Sequence, residues 1–191
     1  MTGTDGYLGC LLAPVLEGAG HDVLGVDTGY YRTGWLYNGV PSSPRTLHRD
    51  IRRLRPVDLE GIDAVVHLAE LSNDPLGELI GEVTDDINHR GSVHLANLAR
   101  DAGAQQFVYM SSCSVYGARD DMVDETTTPA PRTAYAHCKA MVERDVGAMA
   151  GDGFSPTFLR NATTFGASCA CASTSCSTTS PVWRGPSARS P

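Results

Sequence analysis

Tyr135 and Lys139 stand four residues apart, and a hydroxyl-rich turn, Ser111-Ser112-Cys113-Ser114, precedes them. On a helix, residues four apart share one face. An ammonium beside a phenol favours the phenolate, lowering a pKa that starts near ~10. Such a phenol takes a proton from an alcohol near neutral pH. A serine at the tip of a preceding strand can meet the pair there. With a hydride acceptor alongside, the set oxidises a secondary alcohol.

These side chains need a strand to carry the serines and a helix to carry the pair. Phe107-Val108-Tyr109-Met110 is the apolar run that ends at the serines, and a helix is expected from about Tyr135 to Ala150. Upstream, Gly3, Gly6 and Gly9 are spaced GxxGxxG ahead of the apolar stretch from Cys10 to Leu16, which opens a helix ending near Gly18-Ala19-Gly20. Glycine turns let backbone approach a pyrophosphate, whose charge the helix N-terminus then binds. A short strand from Asp22 to Val26 ends in Asp27. An acid there suits the ribose hydroxyls of a dinucleotide and repels a 2′-phosphate, which favours NAD over NADP, although Arg32 lies nearby.

Residues 28–47 read as a long loop with Tyr30, Tyr31, Trp35 and Tyr37. His48-Arg49-Asp50-Ile51 follows, and 58–61 suggests a helical turn. Ile62 to Leu68 has the continuous apolar character of a buried parallel strand and runs into Ala69-Glu70. Glu78 to Ala102 reads as a long helix with Ile80, Val83, Ile87, Val93, Leu95 and Leu98 as core positions. Phe154 to Arg160 is a further strand. Strands alternating with helices predict an α/β doubly wound parallel sheet of Rossmann type. Only Met1 and Thr2 precede the first glycine, so its first strand is expected to be missing.

The 191 residues are 41% hydrophobic and carry a formal net charge of −7. That composition indicates a soluble domain and argues against non-specific nucleic-acid binding. No apolar run approaches the ~20 residues of a membrane span, and no leader pattern opens the chain, so the cytoplasm is expected. Cys10, Cys113 and Cys138 read as small apolar fillers of a reduced protein. Cys169, Cys171 and Cys176 lack the CxxC pairing of a metal site, and no metal is expected.

The chain from 1 to about 168 resembles the extended short-chain dehydrogenase/reductases, the NAD-dependent nucleotide-sugar epimerase/dehydratase family. The likeness rests on TGTDGYLG, Asp27, Asp50-Ile51, HLA at 67–69, Asn88 with Gly91, SSCSVYG, YAHCK and LRNATTFG. It implies NAD binding by Gly3, Gly6, Tyr7, Leu8, Gly9 and Asp27, with Asp50 and Ile51 by the adenine and Leu68 and Ala69 near the phosphates. Asn88 and Ser111 join the cofactor set by the same likeness. Tyr135 becomes the base, Lys139 tunes it and binds the nicotinamide ribose, and Ser112 rather than Ser111 is the catalytic hydroxyl. The family's 4,6-dehydratases carry an Asp-Glu pair after that hydroxyl. Cys113 and Ser114 stand there instead, which leaves epimerisation or keto-sugar oxidoreduction on a nucleotide sugar. The family's usual form is a homodimer.

After Ser168 the composition breaks toward Ser, Thr, Cys and Pro, which divides the chain into a 1–167 NAD-binding domain and a 168–191 disordered or out-of-frame tail. One permitted codon set for 168–180, read from its third base, gives Leu-Arg-Leu-Arg-Phe-Asp-Ile-Val-Leu-Asn-Asn-Leu, so a frameshift after about Ser168 is expected. The family holds the nucleotide of its substrate mainly through its C-terminal part, which would then be absent. The alternatives to an enzyme are a non-catalytic NAD-binding module and a non-functional gene fragment.

Overall fold

The computed structural model describes residues 1–30, 32, 44–72 and 80–170. Tyr31, Trp35, Tyr37, Glu78, Cys171, Cys176 and nearly all of the 168–191 tail lie outside the described residues. The elements in order are α1 (Gly9–Gly18), β1 (Leu24–Asp27), β2 (Arg45–His48) and β3 (Ala64–His67). A continuous helix over 81–101, here α2, follows; it is α-helical at Gly81–Thr84, π-helical at Asp85–Gly91 and α-helical again at Ser92–Asp101. Then come β4 (Gln106–Ser112), α3 (Ala134–Gly147) and β5 (Ser155–Asn161).

Every ladder is parallel: β1 with β2, β3 with β4, and β4 with β5. Thr2 bridges both Val26 and His67, so it stands between β1 and β3 and joins the two pieces into one sheet. The chain runs outward from Thr2 through β1 and β2 on one side and through β3, β4 and β5 on the other. This is a doubly wound order, with its switch point at the glycine turn. The position of a central strand is held here by residues 1–3, whose backbone bonds to Val26 and Val66.

β4 forms because its apolar side chains meet cover on one face. Phe107, Tyr109 and Ser111 alternate with less buried neighbours, and Phe107 and Tyr109 are fully enclosed. They join Leu95 and Ala99 of α2 and Val142 and Val146 of α3 in one core. Burying such side chains contributes ~1.5–3 kcal/mol each.

Three sequence expectations are corrected. The 28–47 segment ends in the first three residues of β2; Arg-Thr-Leu-His is polar and half exposed because it pairs along β1 at a sheet edge, so no apolar alternation marks it. Ile80 and Val83 are not core residues but 41% and 42% exposed, while Thr84 and Asn88 are buried. The π turn resets the helical phase, so a face drawn at 3.6 residues per turn from Leu95 backwards goes astray. Cys113 is exposed and is no core filler, whereas Cys10 and Cys138 are buried.

His67 ties the sheet to α2. Its ring nitrogens meet Thr2 Oγ1 at 2.6 Å and Ser92 Oγ at 2.8 Å, with no exposure. Burial lowers its pKa from 6.5 to about 3, helped by the Lys139 charge. The folded-state pKa is depressed, so below pH 6.5 the unfolded chain binds the proton first and stability falls with pH. The loss due to His67 is about 2 kcal/mol between pH 6.5 and 5. Urea melts across that range, with the His67 ring resonances unmoved in the folded protein, check this; a His67 that titrates near 6.5 would contradict it.

Candidate active site

The glycine turn is built around close approaches. Gly3 has φ +72°, and a β-carbon there would lie 2.9 Å from the Ala69 nitrogen. A β-carbon on Gly9 would collide with the Gly3 carbonyl oxygen and lie 2.9 Å from Thr4 Cα. Gly6 bonds back to the Gly3 carbonyl, and α1 starts at Gly9 after Tyr7 and Leu8. Tyr7 donates its hydroxyl to the Gly166 carbonyl at 2.7 Å, and Ser168 donates to the Tyr7 carbonyl at 2.8 Å. Residues 168–170 are therefore buried, with Cys169 against Cys10 of α1.

Asp27, at the carboxyl end of β1, accepts the backbone N–H groups of Asp5 at 3.0 Å and Gly29 at 2.9 Å. Its carboxylate thereby reaches across from the strand end to the glycine turn. Asp5 is 1% exposed, and burial and the Asp27 charge raise its pKa. Arg32 lies 3.6 Å from the Asp5 carboxylate, so its charge is directed at Asp5. A polar cleft of about 440 Å³ opens beside this strand end, with Thr28, Tyr30, His48, Asp50 and Arg53 in its walls. Asp50 caps the turn at Ile51–Arg53, and Arg52 holds its carboxyl below the usual range. Ile51 is buried, with its side chain against Gly91.

The residues after β3 meet the glycine turn. Leu68 and Ala69 both donate their N–H groups to Thr2 Oγ1 at 3.1 Å. Asn88, fully buried in the π turn, clamps Leu71 with two 2.8 Å bonds, one from its amide nitrogen and one to its oxygen. It therefore acts on the site by fixing this loop.

Thr133 caps α3 through the Ala136 N–H at 3.2 Å, which places Tyr135 in the first turn. Tyr135, Lys139 and Glu143 then follow one another along one face. The Lys139 ammonium lies 5.3 Å from the Tyr135 ring centroid and 4.5 Å from that of Tyr109. It donates to the Met110 carbonyl, two residues before Ser112. The structure thus gathers Tyr135, Lys139 and the end of β4 in one place. The two serines differ. Ser111 is buried and donates to Glu143 at 2.5 Å, whereas Ser112 is partly exposed and caps the next turn by accepting from Ser114 N–H at 3.2 Å. Arg160 of β5 pairs with Glu143 at 2.7 Å and reaches the Tyr116 hydroxyl at 3.2 Å.

Sequence reading passed over Glu70, whose carboxylate pairs with Lys139 at 2.5 Å and accepts the Tyr109 hydroxyl at 2.5 Å. Burial raises its pKa, and Lys139 pulls it back. Burial also pushes the Tyr109 phenol well above its ordinary value, with the Glu70 charge adding to the effect. Among the described residues, no cluster of His, Cys, Asp or Glu could hold a metal, and no helix is long and apolar enough to cross a membrane.

Residues 1–180 match the model of the NAD dependent epimerase/dehydratase family. A UDP-glucose 4-epimerase of Corynebacterium glutamicum is 28% identical over 170 residues, 84% of this chain and 49% of that protein. Among solved structures, the NAD-dependent NDP-hexosamine 5,6-dehydratase TunA superposes with TM-score 0.75 at 27% identity, over 83% of this chain and 52% of that one. MoeE5 in complex with UDP-glucose and NAD gives 0.73 at 30%, with the same coverage. The chain spans about half the length of these relatives. With the family match running through the glycine turn, the β4 serines and the Tyr135 helix alike, the chain belongs to the NAD dependent epimerase/dehydratase family.

Proposed function

We propose that this chain forms the NAD-binding and catalytic part of an enzyme that epimerises a nucleotide sugar or interconverts its keto form, with Tyr135 as the base. The observation that carries this reading is the Lys139 ammonium 5.3 Å from the Tyr135 ring, at the carboxyl end of β4.

The residues present fit the cofactor. The glycine turn leaves no room for a β-carbon at Gly3 or Gly9, so main chain packs directly against main chain there. Gly3, Gly6, Tyr7, Leu8 and Gly9 would hold the pyrophosphate, Asp27 the ribose, and Leu68 and Ala69 the inner wall. Asp50 and Ile51 would border the adenine, and Asn88 and Ser111 would support the site through Leu71 and Glu143. The Arg32 charge faces Asp5, which supports NAD over NADP. NAD, when bound, supplies the hydride acceptor.

The chain's own residues move the proton. Ser112 hydrogen-bonds the sugar hydroxyl, the Tyr135 phenolate accepts its proton, and Lys139 favours that phenolate by its charge. With NAD bound, epimerisation would be completed by Tyr135 returning the proton to the keto oxygen as the hydride returned to the opposite face of the same carbon. Dehydration needs a further acid and base, and the two positions after Ser112 hold an exposed Cys113 and the neutral Ser114.

The test is NAD binding by the full chain and its Tyr135→Phe variant, and turnover of a panel of UDP- and dTDP-hexoses by both after fusion to the C-terminal half of a relative. NAD affinity is expected to survive the change while turnover falls ~10²–10⁴-fold, the share of a general base. A chain that does not bind NAD would refute the reading. NAD binding without turnover would point to a cofactor-binding module.

A further inference from the structure

Glu70 is the buried charge that the proposed mechanism leaves without a task. Its side chain is 4% exposed and that of Lys139 5%. Its two oxygens accept from two different donors, Lys139 Nζ on one and the Tyr109 hydroxyl on the other. Lys139 Nζ can only donate, and its charge at 2.5 Å favours the carboxylate form of Glu70 against the burial that opposes it. Lys139 has three N–H donors. Glu70 and the Met110 carbonyl take two of them, which leaves one to face the Tyr135 side.

We propose that Glu70 is a positioning residue for the reaction: it fixes the Lys139 ammonium and, as its counter-charge, weakens that ammonium's pull on Tyr135, so that the phenol stays protonated at neutral pH in the cofactor-free protein. The proposal rests on Tyr135 being the base, as argued above. A lone ammonium about 5 Å from a phenol favours the phenolate strongly in a site shielded from water. A carboxylate bonded to that ammonium turns the monopole into a dipole, whose field falls off faster. The other groups facing the cluster do not replace this charge. Tyr109 from β4 is a neutral phenol, and His67 from β3 is neutral. On α3, burial pushes Cys138 up to about 11, so it too is neutral. Asp85 of α2 bears on Cys138 but pairs with His89 at 3.3 Å and Arg90 at 3.0 Å. Glu143, one turn along α3 from Lys139, is paired with Arg160 of β5 at 2.7 Å and accepts from Ser111 at 2.5 Å.

The test is the phenolate absorbance of Tyr135, obtained by subtracting the titration of Tyr135→Phe from that of the full chain, without cofactor. In the parent the midpoint is expected near or above the ordinary phenol value of ~10 despite the adjacent lysine. In Glu70→Gln it is expected to fall, with at least a tenfold rise in the acid dissociation constant. Equal midpoints in parent and Glu70→Gln overturn the proposal. If Glu70→Gln does not fold, the parent decides alone, since a midpoint below ~9 would show the lysine acting unopposed. NAD binding by the same proteins separates the two readings. NAD bound with an unmoved Tyr135 titration removes the role of Glu70 and keeps the cofactor site; a shifted titration without NAD binding does the reverse.

Discussion

Gly9→Ala is expected to abolish measurable NAD binding and to destabilise the chain. The new β-carbon would collide with the Gly3 carbonyl oxygen and lie 2.9 Å from the Thr4 Cα, so main chain must move. Overpacking costs ~1–3 kcal/mol where side chains can yield, and backbone yields less, so about 3 kcal/mol is expected here. The same movement displaces the Gly3–Gly6 backbone that would face the pyrophosphate, and each ~1.4 kcal/mol lost there weakens affinity tenfold. Gly18→Ala is the control. It ends the same helix, and nothing lies within 4 Å of its β-carbon position. Its stability should be unchanged or raised by up to ~1 kcal/mol. Urea melts and NAD titration of both variants check this; equal losses in the two would place the effect in α1 and not in the turn.

Lys139→Met is expected to cost about 3–5 kcal/mol of stability at pH 7, because it leaves the Glu70 carboxylate buried without a partner charge. Adding Glu70→Gln to that variant removes the stranded charge and should recover most of the loss. The pH dependence has a definite sign. Without Lys139 the folded-state pKa of Glu70 lies further above its unfolded value, so the folded chain takes up the proton first. The deficit of the single variant therefore shrinks as pH falls toward the carboxylate range, and the double variant shows no such recovery. Denaturant melts at several pH values measure both. A Lys139→Met chain as stable as the parent at pH 7 would mean that Glu70 is already neutral.

The parts of the fold that sequence reveals are those where one local pattern fixes the outcome. Phe107 to Met110 had to be a buried strand, and the spacing of Tyr135 and Lys139 put both on one helical face, where the ammonium and ring indeed meet. The glycines marked a turn because their spacing leaves no side chain between two backbones. β2 escaped notice because an edge strand needs no apolar alternation. Glu70 escaped because its meaning lies in partners distant in sequence, Lys139 and Tyr109, and a carboxylate gives no local sign that it will be buried. Ser111 and Ser112 are alike in sequence and differ only by which face of β4 they leave, one toward Glu143 and one toward the turn.

The π turn of α2 has a consequence for how the protein can change. It inserts extra residue into the helix without extra rotation, so the two halves of α2 keep separate phases. The later half is keyed to the core through Leu95, Ala96 and Ala99, and the π turn itself is keyed to the loop after β3 through the Asn88 clamp on Leu71. A regular α-helix over the same span could satisfy one of these registrations but not both. Any drift in sequence that relaxes residues 85–91 to the cheaper geometry must either twist the core or release the loop. The helix thus holds two clocks set to different times, and the seven residues between them are what keep the scaffold and the site in step.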